Sequence, residues 1–245
     1  VRVNTECNKI ENIECKNSGI VEADYFIDAS GFESTIFKYL NPEWHDIKKY
    51  LPLDKALSQE IDNKDNEIPS HTLAEATDNG WIWAIPVADK IRTGYLYSSK
   101  FLSDEEAKKK YYDWLIKNHN VNLKNDKIIK FRSGYYENSF IGNCMAVGLA
   151  SGFVEPLEAL AYQMILNQLN AFTDFNSSLE NLDSDRKRIN DRNRHFIDAN
   201  IKFVALHYAT YRTDSDFWRY MNDNKMQWVK EFEESCYYKF IDITT

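Results

Sequence analysis

The chain has 245 residues, of which 43% are hydrophobic and 28% are charged, and its formal net charge is −8. This is an ordinary globular composition, and a chain of this length should bury roughly three-quarters of its unfolded surface. The acidic balance argues against a nucleic-acid groove, which needs a basic face, and no apolar run approaches the length of a membrane span. We therefore expect neither nucleic acid nor membrane as a partner.

The four cysteines are scattered along the chain, at Cys7, Cys15, Cys144 and Cys236. None forms a Cys-x-x-Cys pair or lies near a histidine at metal-ligand spacing, so we predict no metal site. This cysteine usage indicates reduced thiols in a cytoplasmic protein. The chain begins with Val1 and not with Met, which we interpret as a sign of a fragment.

Glycine and proline divide the chain into two parts. All eight glycines lie at or before Gly152 and all five prolines at or before Pro156. Because these residues interrupt helices, the remainder should be helical. The sequence predicts a mixed α/β (α+β) fold, with a β-rich part over residues 1–156 and an all-helical part over residues 157–245.

In the first part, the apolar residues within Glu22–Phe32 predict a short buried strand, and the small residues after them predict a turn. Alternating apolar residues over Gly80–Ser99 predict a hairpin with one face lined by aromatic side chains. Ser103 and Glu106 form a capping box that opens a helix ending near residue 117. Further strands are expected near Ile128–Ser133 and Phe140–Gly148. In the second part, helical spacing of apolar residues predicts helices over Leu157–Phe172, Asp214–Asn222 and Lys225–Phe240, with a long helix between the first two.

The two parts meet at Gly152–Leu160, with the sequence GFVEPLEAL. Backbone amides at the start of a helix attract anions, and Glu158, close to that start, could act in proton transfer. The alternative is that Glu155 and Glu158 only cap the helix. Trp81 and Trp83 also allow two interpretations, a ligand platform or core residues, and tryptophans on one face of a strand are more often core residues.

Seven segments, taken in chain order, resemble the flavin-dependent tryptophan halogenases. They are Asp28-Ala-Ser-Gly-Phe32, Gly80-Trp-Ile-Trp-Ala-Ile-Pro86, Gly94-Tyr-Leu-Tyr-Ser98, Phe131-Arg-Ser-Gly134, Gly142–Glu158, Phe203-Val-Ala-Leu-His-Tyr208 and Asp214-Ser-Asp-Phe-Trp218. The Trp-x-Trp-x-Ile-Pro segment separates this family from other flavin monooxygenases, and it assigns Trp81 and Trp83 to the substrate region.

The resemblance implies part of a glutathione-reductase-like, FAD-dependent monooxygenase fold. It implies reduced FAD, delivered by a separate flavin reductase that binds transiently, and a chloride or bromide ion. In the family, oxygen and halide yield hypohalous acid, which passes through the protein to a lysine and halogenates an aromatic small molecule such as tryptophan or another indole. A homodimer is compatible with this resemblance.

The resemblance also implies roles for particular residues. The residue matching Glu158 is catalytic, and it activates the halogenating species or stabilises the arenium cation. Those matching Leu149 and Tyr162 border FAD, and the strand-end turn containing Asp28 and Gly31 is expected to contact the cofactor.

The backbone amides matching Leu160 and Ala161 would bind the halide. A helix beginning at Pro156 would engage both amides in its own hydrogen bonds, so this role requires the helix to begin near Ala159, with Glu158 just outside it.

The chain departs from the family in several ways. Most members have Glu-Ser-Thr where this chain has Glu158, Ala159 and Leu160. No Gly-x-Gly-x-x-Gly motif occurs, so the adenine-nucleotide half of the FAD site and the family's lysine are expected in a portion outside this chain. Alternatives are a phenol or pyrrole halogenase, another FAD monooxygenase, or a degenerate relative acting as a non-catalytic binding module.

Overall fold

The computed structural model describes residues 1–63, 70–121, 127–175 and 182–241, and these ranges contain fourteen strands and five α-helices. The strands are β1 (Arg2–Glu6), β2 (Lys9–Cys15), β3 (Gly19–Val21), β4 (Phe26–Asp28), β5 (Trp44–Asp46), β6 (Lys55–Asp62), β7 (Leu73–Thr77), β8 (Gly80–Pro86), β9 (Lys90–Tyr97), β10 (Ile128–Lys130), β11 (Gly134–Tyr136), β12 (Phe140–Ile141), β13 (Cys144–Ala146) and β14 (Gly152–Phe153). The helices are α1 (Asp104–His119), α2 (Ala161–Phe175), α3 (Leu182–Leu206), α4 (Asp216–Asp223) and α5 (Gln227–Ile241).

The chain forms two compact units that are interleaved in the sequence. Residues 1–47 and 133–203 form the first unit, and residues 48–132 and 204–245 form the second. Each unit contains both strands and helices. The predicted division into residues 1–156 and 157–245 separated a β-rich part from a helical part, so it does not coincide with these two units. The predicted mixed α/β fold is confirmed.

The first unit is built around a parallel pair of strands. β13 pairs in parallel with β4, with Ala146 opposite Asp28, and β12 completes this sheet on the other side of β13. Buried apolar side chains, including Phe26, Phe37 and Ala150, pack beside the pair. Because the strands are parallel, their carboxyl ends lie at one edge, and the chain leaves both strands there in short turns.

The second unit contains a five-stranded antiparallel sheet in the order β10-β6-β9-β8-β7. The predicted hairpin is confirmed as β8 and β9, but the prediction that its aromatic side chains share one face is wrong, because Trp81 lies opposite Leu96 whereas Tyr95 lies opposite Ile82. The face that carries Tyr95 and Tyr97 packs with α1 around Tyr111. The predicted capping box is confirmed, since the Ser103 side chain accepts a hydrogen bond from the Glu106 amide and Glu106 reciprocates.

The helical part differs from the prediction at the start of α2 and at the end of the long helix. That helix is α3, and it ends at Leu206, before His207, Tyr208 and Tyr211, which were predicted to share its apolar stripe. The predicted helix at Leu157 is wrong, because residues 156–158 form a turn and the helix begins only at Ala161. The cause is the backbone of Ala159, whose φ of 53° is left-handed and cannot continue a right-handed helix. The helices predicted over Asp214–Asn222 and Lys225–Phe240 are confirmed as α4 and α5, each shifted by one or two residues.

Candidate functional site at the carboxyl edge of the parallel strands

Asp28 ends β4, and its carboxylate organises the turn that follows. The side chain is only 1% exposed, and it accepts four hydrogen bonds. The Ser30 amide and hydroxyl donate to one oxygen at 2.9 and 2.6 Å, and the amides of Ile36 and Phe37 donate to the other at 2.8 and 2.7 Å. Burial acts to raise the pKa of Asp28, but these hydrogen bonds outweigh it and hold the pKa below its ordinary value.

The carboxylate of Asp28 is therefore directed at its own loop. Any contact between this strand end and a cofactor is left to neighbouring groups such as Gly31, whose φ of 74° is left-handed and whose missing Cβ would meet open space. Gly31 thus exposes backbone at the edge where both parallel strands end.

The turn that follows β13 lies against this loop. It covers residues 148–151 and carries Leu149, whose side chain is half-buried. The Ser34 hydroxyl donates to the carbonyl of Ala150 at 2.8 Å, and the ring of Phe32 meets that of Phe153 edge-on at 5.3 Å. The two strand-end segments are thereby held together at one edge of the sheet.

The start of α2 is the third part of this edge, since α2 packs against the turn that carries Leu149. The first helical hydrogen bond runs from the Met164 amide to the Leu160 carbonyl at 2.9 Å. The amides of Leu160 and Ala161 precede that bond, so the helix itself does not engage them. The halide prediction required these two amides to lie outside the helical hydrogen bonds, and they do. The helix begins at Ala161, two residues later than the predicted start near Ala159.

Two glutamates precede α2 and differ sharply in exposure. Glu155 is 1% exposed, whereas Glu158 is half-buried and lies outside the helix. Ala159 and Leu160 separate Glu158 from Ala161, the first residue of α2. Tyr162, in the first turn of α2, is 80% exposed.

Trp81 and Trp83 belong to the second unit. Trp81 is 8% exposed, as the core interpretation predicts, and its ring meets those of Tyr208 and Trp218 edge-on, each at 5.8 Å. Its Nε1 has no hydrogen-bond partner among the described residues. Trp83 stands opposite Gly94 across the hairpin, and its indole covers the glycine so closely that an added Cβ would lie 2.6 Å from the ring.

One residue at the edge of the first unit was missed by the sequence reasoning. Gln168 lies on α2, is 3% exposed, and bonds to the turn that carries Leu149. Nothing in the sequence signals this role, because a glutamine in an amphipathic helix is usually a surface residue.

Two other features are absent from the part of the chain that the structure describes. No group of three or more histidine, cysteine, aspartate or glutamate side chains is placed to hold a metal ion. Across the same ranges, no helix combines the length and apolar character needed to cross a bilayer.

Comparison with known proteins agrees with the resemblance found in the sequence. A family model described as tryptophan halogenase matches residues 1–236 of the chain. The chain belongs to the tryptophan halogenase family. The fold of the described residues is accordingly shared with flavin-dependent halogenases.

Curated relatives of this halogenase-family chain include enzymes of two regioselectivities. The tryptophan 7-halogenase RebH of Lentzea aerocolonigenes is 31% identical over 219 residues, which cover 86% of this chain and 40% of RebH. The 7-chloro-L-tryptophan 6-halogenase KtzR of Kutzneria sp. is 29% identical over 221 residues, covering 86% of this chain and 41% of KtzR. The chain therefore spans about two-fifths of the length of these relatives.

Solved structures of tryptophan halogenases superpose well on this family member. The tryptophan 6-halogenase SttH of Streptomyces toxytricini gives a TM-score of 0.87 at 27% identity, covering 94% of this chain and 48% of SttH. The flavin-dependent tryptophan C-6 halogenase Tar14, from taromycin biosynthesis, gives a TM-score of 0.83 at 30% identity, covering 91% and 45%.

Proposed function

We propose that the protein to which this chain belongs is a flavin-dependent halogenase that uses reduced FAD, oxygen and chloride or bromide to halogenate tryptophan or another indole. In this proposal a separate flavin reductase supplies the reduced FAD, and hypohalous acid is the halogenating agent. The observation that carries the proposal is the late start of α2, which leaves the amides of Leu160 and Ala161 outside the helical hydrogen bonds.

These amides have the properties of a halide site. The positive end of a helix dipole favours an anion, and two adjacent N–H groups without helical partners can donate to it. A backbone site of this kind does not depend on side-chain hydroxyls, so it tolerates Ala159 and Leu160 in place of the family's serine and threonine. The left-handed backbone of Ala159 turns the chain so that Glu158 stays out of the helix.

The neighbouring residues fit a flavin. Ligands of open α/β sheets bind beyond the carboxyl ends of parallel strands, and β4 and β13 end together here. Gly31 leaves backbone accessible at this edge, while Leu149 and Tyr162 supply apolar and aromatic surface beside the start of α2. When bound, FAD would supply the electrons that activate oxygen.

Glu158 is the proposed catalytic carboxylate. Attack by an electrophilic halogen places positive charge on the indole ring, and a fixed negative charge nearby stabilises that charge. The same carboxylate can accept the proton that the ring carbon loses as aromaticity returns. Glu155, buried in the preceding segment, is proposed to be structural.

The test uses full-length protein with reduced FAD and bromide, and mass spectrometry of a panel of indoles and phenols. Wild-type protein should brominate the indoles, whereas Glu158→Gln should lose product formation by a factor of at least 100 and keep FAD binding. The exposed Glu22→Gln change is the matched control and should remain active. Bromination of phenols alone would favour the phenol halogenase, and no product together with no FAD binding would favour the degenerate binding module.

The same assay tests the halide site through one backbone atom. Ala161 is the first helical residue, where proline is tolerated, so Ala161→Pro removes one N–H donor and leaves the helix intact. We expect the KM for bromide to rise by about tenfold or more, since a charge-assisted hydrogen bond contributes about 1.5–3 kcal/mol. Ala161→Gly keeps the amide and should behave as wild type. An unchanged bromide KM in a folded Ala161→Pro variant would refute the halide assignment.

A further inference from the structure

A single side-chain amide ties α2 to both ends of the turn that carries Leu149. The Gly148 amide donates to Gln168 Oε1 at 2.7 Å, and Gln168 Nε2 donates to the Ser151 hydroxyl at 2.6 Å. That hydroxyl donates in turn to the Gly148 carbonyl at 2.8 Å, and the Ser151 amide donates to the same carbonyl at 2.9 Å. Gln168 and Ser151 are each 3% exposed, so water does not compete for these bonds.

The turn and the helix are also in close steric contact. Gly148 has a left-handed φ of 63°, and a Cβ added there would lie 3.0 Å from Cγ1 of Ile165 on α2. The hydrogen bonds of Gln168 are therefore made beside a close approach of the turn to the helix, where a Cβ at Gly148 would crowd Ile165. A buried hydrogen-bonded network of this kind favours one arrangement of the elements that it joins.

Gln168 lies two helical turns beyond Ala161, which corresponds to about 10 Å along the axis. A helix transmits a constraint along its axis, so fixing Gln168 against Gly148 also fixes the start of α2 relative to the turn. We propose that Gln168 is a positioning residue that sets the distance between Leu149, on the flavin side, and the halide-binding amides of Leu160 and Ala161. This inference rests on the proposed function, because it assigns both of those roles.

The decisive variant is Gln168→Leu in full-length protein, which keeps the side-chain bulk and removes both hydrogen bonds. We expect hydrogen exchange of residues 148–151 to accelerate at least tenfold, while exchange in β13 stays unchanged. We expect the bromide KM to rise at least fivefold with a smaller change in kcat. Asn170→Leu makes a comparable change at an exposed position of the same helix and should alter neither quantity.

Gln168→Glu is the second variant, and it tests the same hydrogen bonds if Gln168→Leu does not fold. It keeps an acceptor for the Gly148 amide and loses the donor to Ser151, so its bromide KM should lie between those of wild type and Gln168→Leu. Bromide affinity is measured separately by the line broadening of the bromide NMR signal, without flavin turnover. Gln168→Leu should weaken it at least fivefold.

The outcomes separate the two proposals. Faster exchange at residues 148–151 with unchanged bromide affinity would overturn the positioning role and leave Gln168 as a stabiliser of the turn. Unchanged exchange would overturn the hydrogen-bond network itself. If wild-type protein bound bromide but made no halogenated product, the proposed function would fail, whereas a weaker bromide affinity in Gln168→Leu would still support the positioning role.

Discussion

Replacing Asp28 by asparagine should destabilise the first unit strongly. Asparagine keeps one oxygen acceptor, which can serve the amides of Ile36 and Phe37, but it turns an NH2 group toward Ser30. The Ser30 amide then loses its acceptor, at a cost of about 1 kcal/mol, because Ser30 is exposed and water can replace part of the bond. The remaining bonds lose their charge assistance, at roughly 1 kcal/mol each, and the lower burial cost of a neutral group offsets part of this. We expect a net loss of about 2 kcal/mol in the free energy of unfolding.

The assay is urea unfolding of wild type, Asp28→Asn and the control Asp24→Asn, which removes the same charge at an exposed position. The pKa of folded Asp28 lies below its ordinary value, so its stabilising contribution is fully present above the unfolded pKa of about 3.9. That contribution is lost as the pH falls through the folded pKa. The difference between wild type and Asp28→Asn should therefore be constant from pH 7 to pH 5 and shrink below about pH 4. A loss under 1 kcal/mol, or one equal to that of Asp24→Asn, would refute the reasoning.

Two further predictions concern buried positions in each unit. Gly94→Ala would place a Cβ 2.6 Å from both the Leu57 carbonyl oxygen and the Trp83 ring, so we expect a loss of about 2–3 kcal/mol in urea unfolding followed by tryptophan fluorescence. An unchanged unfolding midpoint would contradict this contact. Burial raises the pKa of the Cys144 thiol to about 12, whereas Cys7 is exposed. With a disulfide thiol reagent at pH 8, Cys7 should react within minutes and Cys144 only after unfolding, and rapid labelling of Cys144 in folded protein would contradict its burial.

Much of the fold followed from local sequence signals. The hairpin β8–β9 was predictable because alternating residues are interrupted by a short polar turn, and α1 was predictable because Ser103 and Glu106 act within one helical turn. The interleaved units were not predictable in this way. They depend on pairings between residues that are distant in sequence, such as β4 with β13.

The candidate site shows the same limit. Leu157, Glu158 and Ala159 are all good helix formers, so residue preference alone places the start of the helix too early. The left-handed backbone of Ala159 is set by the surrounding structure, and only the halide argument hinted at a later start. The spacing of Asp28 and Ser30 predicted a local turn. No sequence pattern predicted the hydrogen bonds that the amides of Ile36 and Phe37 donate to Asp28.

The bond between Ser34 and Ala150 joins residues that are 116 positions apart, whereas Asn4 and Asn12 in the hairpin β1–β2 are 8 apart. Closing the longer loop costs about 2 kcal/mol more in chain entropy. During synthesis the hairpin can form at once, while β4 must wait until β13 and the turn beyond it have left the ribosome. For that interval β4 has an unpaired edge, and such edges are prone to wrong pairing. We therefore expect the carboxyl edge of this sheet to be completed late in folding.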